Sequence, residues 1–462
     1  MFLKHARQFI LPDLLDLPVK LLLQFSLLYL VTKQDFAVIS LGMLFFSYHP
    51  LGQLGTLDYL MLKLPEDYIN KASLENNKSL SVSREIVLYT IFFSGLIVIA
   101  ASVITKQSNF LVVTFMAFII QSILYQKYLY RNVVLRYSYN LKYLFKIKVS
   151  LSLSRLILTT GGLYFFGVYG YLTSEAIIYL IPMIAFREFE LKKFHNSLAD
   201  IVSLVKLSLP FLLLSVLNLV STQIDRWLII SNNSLEIFAD YSLCIIVVSS
   251  ILIIPGKVDS LIMQYFREFY VSEKSDKDYY KRVVAYLQFS IIILGLFATF
   301  SVELVGLIIE YYLPKYTNVL IYLPILTLIL LVRHIHNSIA ALVGLEFGQK
   351  YISLSKVIFV LIFFISTFFI KGNLEGILDI VLALTGLSII LLGSYLFRKN
   401  IKNYVWNIVT FIIVFTLVML VSNYVSHVLS KTIIYSILII LTQYKYHDFF
   451  KFLNDKEYLI KN

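Results

Sequence analysis

Charge is what this sequence has least of. Only 15% of its 462 residues are Asp, Glu, Lys or Arg, while 59% are hydrophobic. A soluble domain carries roughly 25% charged residues to cover its surface, so a chain surrounded mostly by water is excluded. Cysteine is nearly missing as well. The single Cys244 sits inside an apolar run, and one thiol builds neither an internal disulfide nor a cysteine metal centre. There is no Gly…Gly-Lys-Ser/Thr phosphate loop, which excludes ATP use by such a loop. No catalytic triad or metal-ligand cluster stands out either, so the chain is read as a non-enzyme needing no cofactor and no metal. On one side of the apolar runs, long polar connections are missing: those loops are all short, roughly four to ten residues. That disfavours a membrane glycan polymerase or ligase, which needs an external loop for its chemistry.

What is present is apolar sequence in long runs. Stretches of about 18 or more such residues cross roughly 30 Å of hydrocarbon. They predict an all-α, polytopic membrane protein of about fourteen helices, at 14–31, 36–62, 86–105, 110–130, 148–167, 169–186, 204–230, 236–263, 284–309, 317–345, 353–370, 374–397, 404–427 and 431–444. The first run lacks a small-residue cleavage site and is followed at once by another span, so it is read as retained. The 33 Tyr and 36 Phe suit rings at membrane interfaces.

Lys and Arg in the connections sort by side. Thirty fall on the side of the N-terminus, from Lys4 and Arg7 through Lys127–Lys148 and Lys350–Lys356 to the tail; only Lys33, Lys106, Lys315, Lys371 and Lys431 fall opposite. Short cation-rich loops stay cytoplasmic, so both termini are expected inside, in a multi-pass protein of the bacterial cytoplasmic membrane. The net charge of +12 is then topology plus attraction to anionic membrane lipid, with no role for nucleic acid.

The two halves echo each other. "FAVISL" at Phe36–Leu41 returns as "FADYSL" at Phe238–Leu243, an offset of 202; Asp58 and Leu60 match Asp259 and Leu261; "KYLFKIKV" at Lys142–Val149 matches "KYISLSKV" at Lys350–Val357 at an offset of 208. A six-helix repeat enters the membrane the same way twice, an arrangement used by transporters with the substrate path between the halves. The expected organisation is one six-helix lobe over 1–200, a parallel one over 201–400, and two extra helices with a tail over 401–462.

The stretch Ser208–Leu243 resembles the seventh and eighth helices of Wzx-type O-antigen and capsule flippases. In those a Pro opens the helix, Asp-Arg lies near its far end, and Tyr-Ser or Tyr-Ala enters the next helix; here these are Pro210, Asp225, Arg226, Tyr241 and Ser242. "LGQLGTLDYLMLKLPED" at Leu51–Asp67 is similar to the family's second-helix end, and "GLEFGQK" at Gly344–Lys350 to the connection after its tenth. The resemblance implies the polysaccharide-transporter branch of the multidrug, oligosaccharidyl-lipid and polysaccharide exporter superfamily. Its cargo is a polyprenyl-diphosphate-linked oligosaccharide unit for O-antigen, capsule or exopolysaccharide, and its expected partners include the polysaccharide polymerase and chain-length regulator.

A charge in mid-membrane costs at least ~2.5–3.5 kcal/mol, so each one needs a reason. Arg155, Lys257, Arg226 and Arg333 are the candidate cavity cations for a diphosphate, since a guanidinium grips phosphate oxygens in two places. Arg155 and Arg333 have no acid within four positions. Spacing places Arg333, His336 and Asn337 on one helical face, whereas His334 and His336, two apart, diverge and make a poor metal pair. Asp225, Asp259, Glu303 and Asp379 are candidates for ion coupling or for structural pairing. Lys20 is expected to snorkel to the interface. The expected mechanism is alternating access. The rivals are a small-molecule or multidrug exporter, for which a cavity richer in acids is expected, and a flippase for the peptidoglycan lipid precursor.

Overall fold

The computed structural model describes residues 2–61, 78–137, 141–185, 197–272, 276–345, 349–370 and 374–396. The spans expected at 404–427 and 431–444 lie outside them. Helix α1 covers Phe2–Leu30 and α2 Lys33–Phe46; after a 3-10 turn at His49–Gln53 the chain is helical again over 56–61. Next come α3 (Lys78–Ile104), α4 (Asn109–Tyr137) and α5 (Leu141–Ser154). A π turn at Arg155–Thr159 leads into α6 (Thr160–Ile177) and the short α7 (Leu180–Ala185). The long helices α8 (Leu198–Asn232), α9 (Leu235–Ser272) and α10 (Asp276–Tyr312) follow. A 3-10 turn at Pro314–Tyr316 precedes α11 (Val319–Leu345), α12 (Gln349–Ile370) and α13 (Leu374–Leu396).

The described residues contain helix and no strand, and six of their helical stretches are long and apolar enough to cross a membrane. Their outer faces carry side chains that water would reject: Ile104 is 78% exposed, Phe165 and Phe166 75% each. Exposing a large apolar side chain to water forfeits roughly 1.5–3 kcal/mol, and hydrocarbon removes that penalty. The chain is a multi-pass membrane protein.

It divides into two compact units. One is Pro12–Ile230 with 234–239; the other takes the described residues from Asp240 onward together with 2–11 and 231–233.

Within the first unit, the span expected to run unbroken over 36–62 is interrupted. Pro50 has no N–H to donate to a helix, and the chain passes through left-handed backbone at Leu54 (φ 47°) and Gly55 (φ 71°) before resuming. The apolar pattern continues through the break, which is why hydropathy hides it.

The segment 142–184 is long enough for two crossings and turns back on itself at Gly167, whose φ of 62° and ψ of −146° are essentially reserved for glycine. The two arms pack antiparallel. The hydroxyl of Ser174 donates to the carbonyl of Leu158 at 3.0 Å. Nearer the turn the arms cross at Gly162 and Gly170, where a Cβ on either would overlap the other's backbone. The expected boundary between 148–167 and 169–186 falls on this reversal.

The sequence echoes have structural counterparts. Thr32 accepts the backbone N–H of Asp35 at 3.1 Å, and Ser234, its counterpart in the second half, accepts that of Ile237 at 3.4 Å. These side-chain caps sit at the starts of α2 and α9. Both copies of the second motif, Lys142–Val149 and Lys350–Val357, are helical. Phe36, Ala37 and Ser40 are buried, and so are their counterparts Phe238, Ala239 and Ser242.

Candidate functional site

Three groups of polar side chains lie in helices that otherwise read as apolar. The first is built by the hairpin. Arg155 opens the π turn, a distortion that often marks a functional or strained position. Its Nε donates to Glu175 Oε1 at 3.2 Å and its Nη2 to the Tyr179 hydroxyl at 3.3 Å. Thr159 donates to the same carboxylate oxygen at 3.3 Å, and Gln121 of α4 to Oε2 at 2.8 Å. Glu175 thus meets an ion pair and two neutral donors, the satisfaction a buried carboxylate requires. Beside them Asp16 of α1 receives Lys20 at 2.6 Å and the Ser152 hydroxyl at 2.5 Å. Lys20 forms this pair while remaining partly exposed. Arg155, alone by local spacing, therefore has an acid twenty positions away that only the hairpin delivers. Glu175 and Asp16 passed unnoticed in the sequence, although each is a carboxylate in an apolar run, the signal that singled out the others.

The second group lies where the broken second span packs on α8. Ser208 donates to the carbonyl of Leu54 at 3.0 Å, Ser215 to Asp58 at 3.0 Å, and the Trp227 indole to the Tyr48 hydroxyl. An ion pair, Lys78 to Asp200 at 2.8 Å, extends the contact. Gly55 is needed here twice over: its φ is positive, and a Cβ would overlap the backbone of α8 at Leu212 and Ser208. Asp225 is fully buried and accepts the backbone N–H of Arg226 at 2.9 Å. The neighbouring Trp227 is the residue of this stretch that reaches the second span, through Tyr48.

The third group is in the other unit. His336 Nε2 hydrogen-bonds the Ser388 hydroxyl at 2.9 Å, tying α11 to α13. Arg333, one turn earlier, is half-buried and Asn337 is exposed. His334 points elsewhere, toward Gly256 of α9, where a Cβ would lie 3.3 Å from its ring. Glu303 of α10 is half-buried, and Asp379, near the start of α13, is exposed. The side chains of Lys257 and Asp259 lie outside the described set.

Two cations counted with the cytoplasmic connections prove to be inside helices and buried. Arg131 donates to the carbonyls of Pro182 and Met183 at 3.0 and 3.1 Å. Lys356 is 7% exposed, within α12. Arg131 falls one residue past the span expected at 110–130, and Lys356 lies near the start of the one expected at 353–370.

No protein-family profile matches the chain, and no curated protein sequence does. Its fold is shared with solved transporters. The lipid II flippase MurJ in an inward closed conformation superposes with a TM-score of 0.66 at 14% identity, over 95% of this chain and 99% of that one. A multidrug resistance MATE family transporter of the MOP superfamily, outward-facing, gives 0.58 at 13% identity over 86% and 96%. An inward-facing one gives 0.55 at 10% identity over 83% and 96%. The chain therefore has the fold of the MOP-superfamily transporters.

Proposed function

We propose that this protein is a flippase that moves a polyprenyl-diphosphate-linked oligosaccharide across the bacterial cytoplasmic membrane by alternating access, for O-antigen, capsule or exopolysaccharide assembly. The observation that carries the reading is the fold similarity to a lipid flippase over 95% of the chain, against 83% and 86% for the two drug transporters. Cationic side chains inside the spans support it, because a diphosphate crossing hydrocarbon needs fixed positive charge around it. The role of the chain is to shelter that headgroup while one half moves against the other; no bond of the cargo is made or broken.

The peptidoglycan lipid precursor is the second reading, favoured by the cargo named for the 0.66 superposition; it differs in the sugar and keeps the phosphate chemistry. A drug exporter is the third, favoured by the MATE superpositions. Arg333→Ala separates the last from the first two. In cells depending on this chain, the variant loses surface glycan by at least tenfold while drug sensitivity is unchanged. Loss of drug resistance with glycan intact replaces the flippase reading with the exporter.

A further inference from the structure

We infer that the turn of the first unit's hairpin is a lipid anchor. Tyr164, Phe165, Phe166 and Tyr169 seat in the boundary between phospholipid headgroups and hydrocarbon, in the leaflet opposite the Lys- and Arg-rich connections. This needs only the membrane fold and holds for any cargo.

Contacts between two turns set the depth. Tyr164 is 74% exposed, Phe165 and Phe166 75% each, and Tyr169 56%. The Tyr169 ring packs edge-on against Phe110 of α4, with centroids 5.8 Å apart. Phe110 directly follows the polar turn 105–109, all of whose residues are exposed. Lys106 and Gln107 in that turn mark where the chain meets water. Two residues separate Tyr169 from Gly167 and Phe110 from Ser108, so the ring contact holds both turns at one level. The aromatic turn therefore stands at the membrane surface, above the hydrocarbon midplane.

The chemistry of the turn selects the occupant. From 161 to 172 the chain has no charged, amide or aliphatic hydroxyl side chain. Left in water, four such rings would forfeit the benefit of burial, whereas a ring with an apolar body and a polar tip is at home among headgroups. The exposed apolar surface also continues from the turn onto the lipid-facing sides of its neighbours, at Leu153 and Ile157 on the arm and at Ile97 and Ile104 on α3. Charge agrees. No Asp or Glu occurs from 86 to 174, and Lys106 is the one charge in the two turns, which suits phosphate-bearing headgroups.

The anchor is stiff. Gly167 reverses the chain in two residues, and the arms meet backbone to backbone at Gly162 and Gly170, so the rings are presented with little freedom left to lose on insertion. Closing a hairpin does not require such a turn. Gly372, 205 positions after Gly167 and so between the two repeat offsets, is flanked by Lys371 and Asn373, a polar sequence suited to water. The aromatic turn is a property of one repeat and not of both.

The test uses the full chain in nanodiscs of phosphatidylcholine and phosphatidylglycerol, with nitroxide labels on single cysteines. Cys244→Ala removes the one native thiol, and Phe166→Cys, Gln107→Cys and Ile97→Cys each receive the label in turn. Collision with oxygen, which concentrates in lipid, is compared with collision with a water-soluble nickel chelate. The label at 166 is expected to favour oxygen, at a depth between the water-exposed 107 and the lipid-facing 97. Adding Tyr164→Ser and Phe165→Ser to the Phe166→Cys protein should raise its nickel collision rate severalfold. Should that variant prove misfolded by size-exclusion profile, the three single-label depths decide. A label at 166 as open to nickel as the one at 107 would overturn the anchor by placing the turn in water. A label screened from both reagents would overturn it by showing that protein, a second copy or another chain, covers the turn.

Discussion

Glu175 changes what Arg155 means. An arginine in an apolar run looks like a ligand in search of an anion; here a carboxylate, a tyrosine hydroxyl and the turn of the chain already surround it. Taking away one member of such a pair strands the other in a poorly solvating interior. Glu175→Leu or Arg155→Met alone is expected to destabilise the protein by about 3–5 kcal/mol, and the double variant Arg155→Met with Glu175→Leu to recover much of that loss. Thermal unfolding in detergent checks the ordering of the four proteins, and additive losses would show that the pair is not coupled. At this scale the sequence marked Arg155 as costly, let the equally costly Glu175 pass, and could not show that the two are partners. Arg155 and Glu175 are twenty positions apart, beyond the reach of helical spacing, whereas Arg333, His336 and Asn337 shared a face by spacing alone. Lys356 was counted among the connection cations although it falls inside the span expected at 353–370, and the fold buries it.

At the scale of elements, glycines set where helices reverse and approach. Gly167 has nothing within 4 Å of where a Cβ would stand, so only its backbone angles resist substitution. Gly167→Ala is therefore expected to cost about 1–3 kcal/mol, while Gly161→Ala, also with open space around it but ordinary helical backbone, is neutral or slightly stabilising. Detergent melting curves of the two variants make the comparison; equal behaviour would mean the reversal is not built on this conformation. Most helix positions were legible in the described chain because lipid forces long apolar runs. The reversal at Gly167 was legible too, since the run 148–186 is too long for one crossing. The break after α2 was not. Pro50, Gly52 and Gly55 were in plain view, yet apolar residues flank them on both sides, and a hydropathy average cannot separate a broken helix from a whole one.

For the whole molecule, repetition is the most informative feature. Caps at Thr32 and Ser234 and matched buried residues at Phe36, Ala37 and Ser40 and at Phe238, Ala239 and Ser242 accompany the sequence echoes between the two halves. The superpositions on a lipid flippase and on drug transporters share one fold and differ in the cargo their names carry. Cargo was the least legible property in the sequence, because a glycan is recognised by scattered polar contacts and a drug by apolar ones, and neither leaves a motif. Reconstitution addresses it directly. In proteoliposomes, purified protein is expected to move a fluorescent polyprenyl-diphosphate oligosaccharide from the inner to the outer leaflet, as read by a membrane-impermeant quencher, and to leave a cationic dye where it was. Transport of the dye with the lipid-linked glycan immobile would contradict the account.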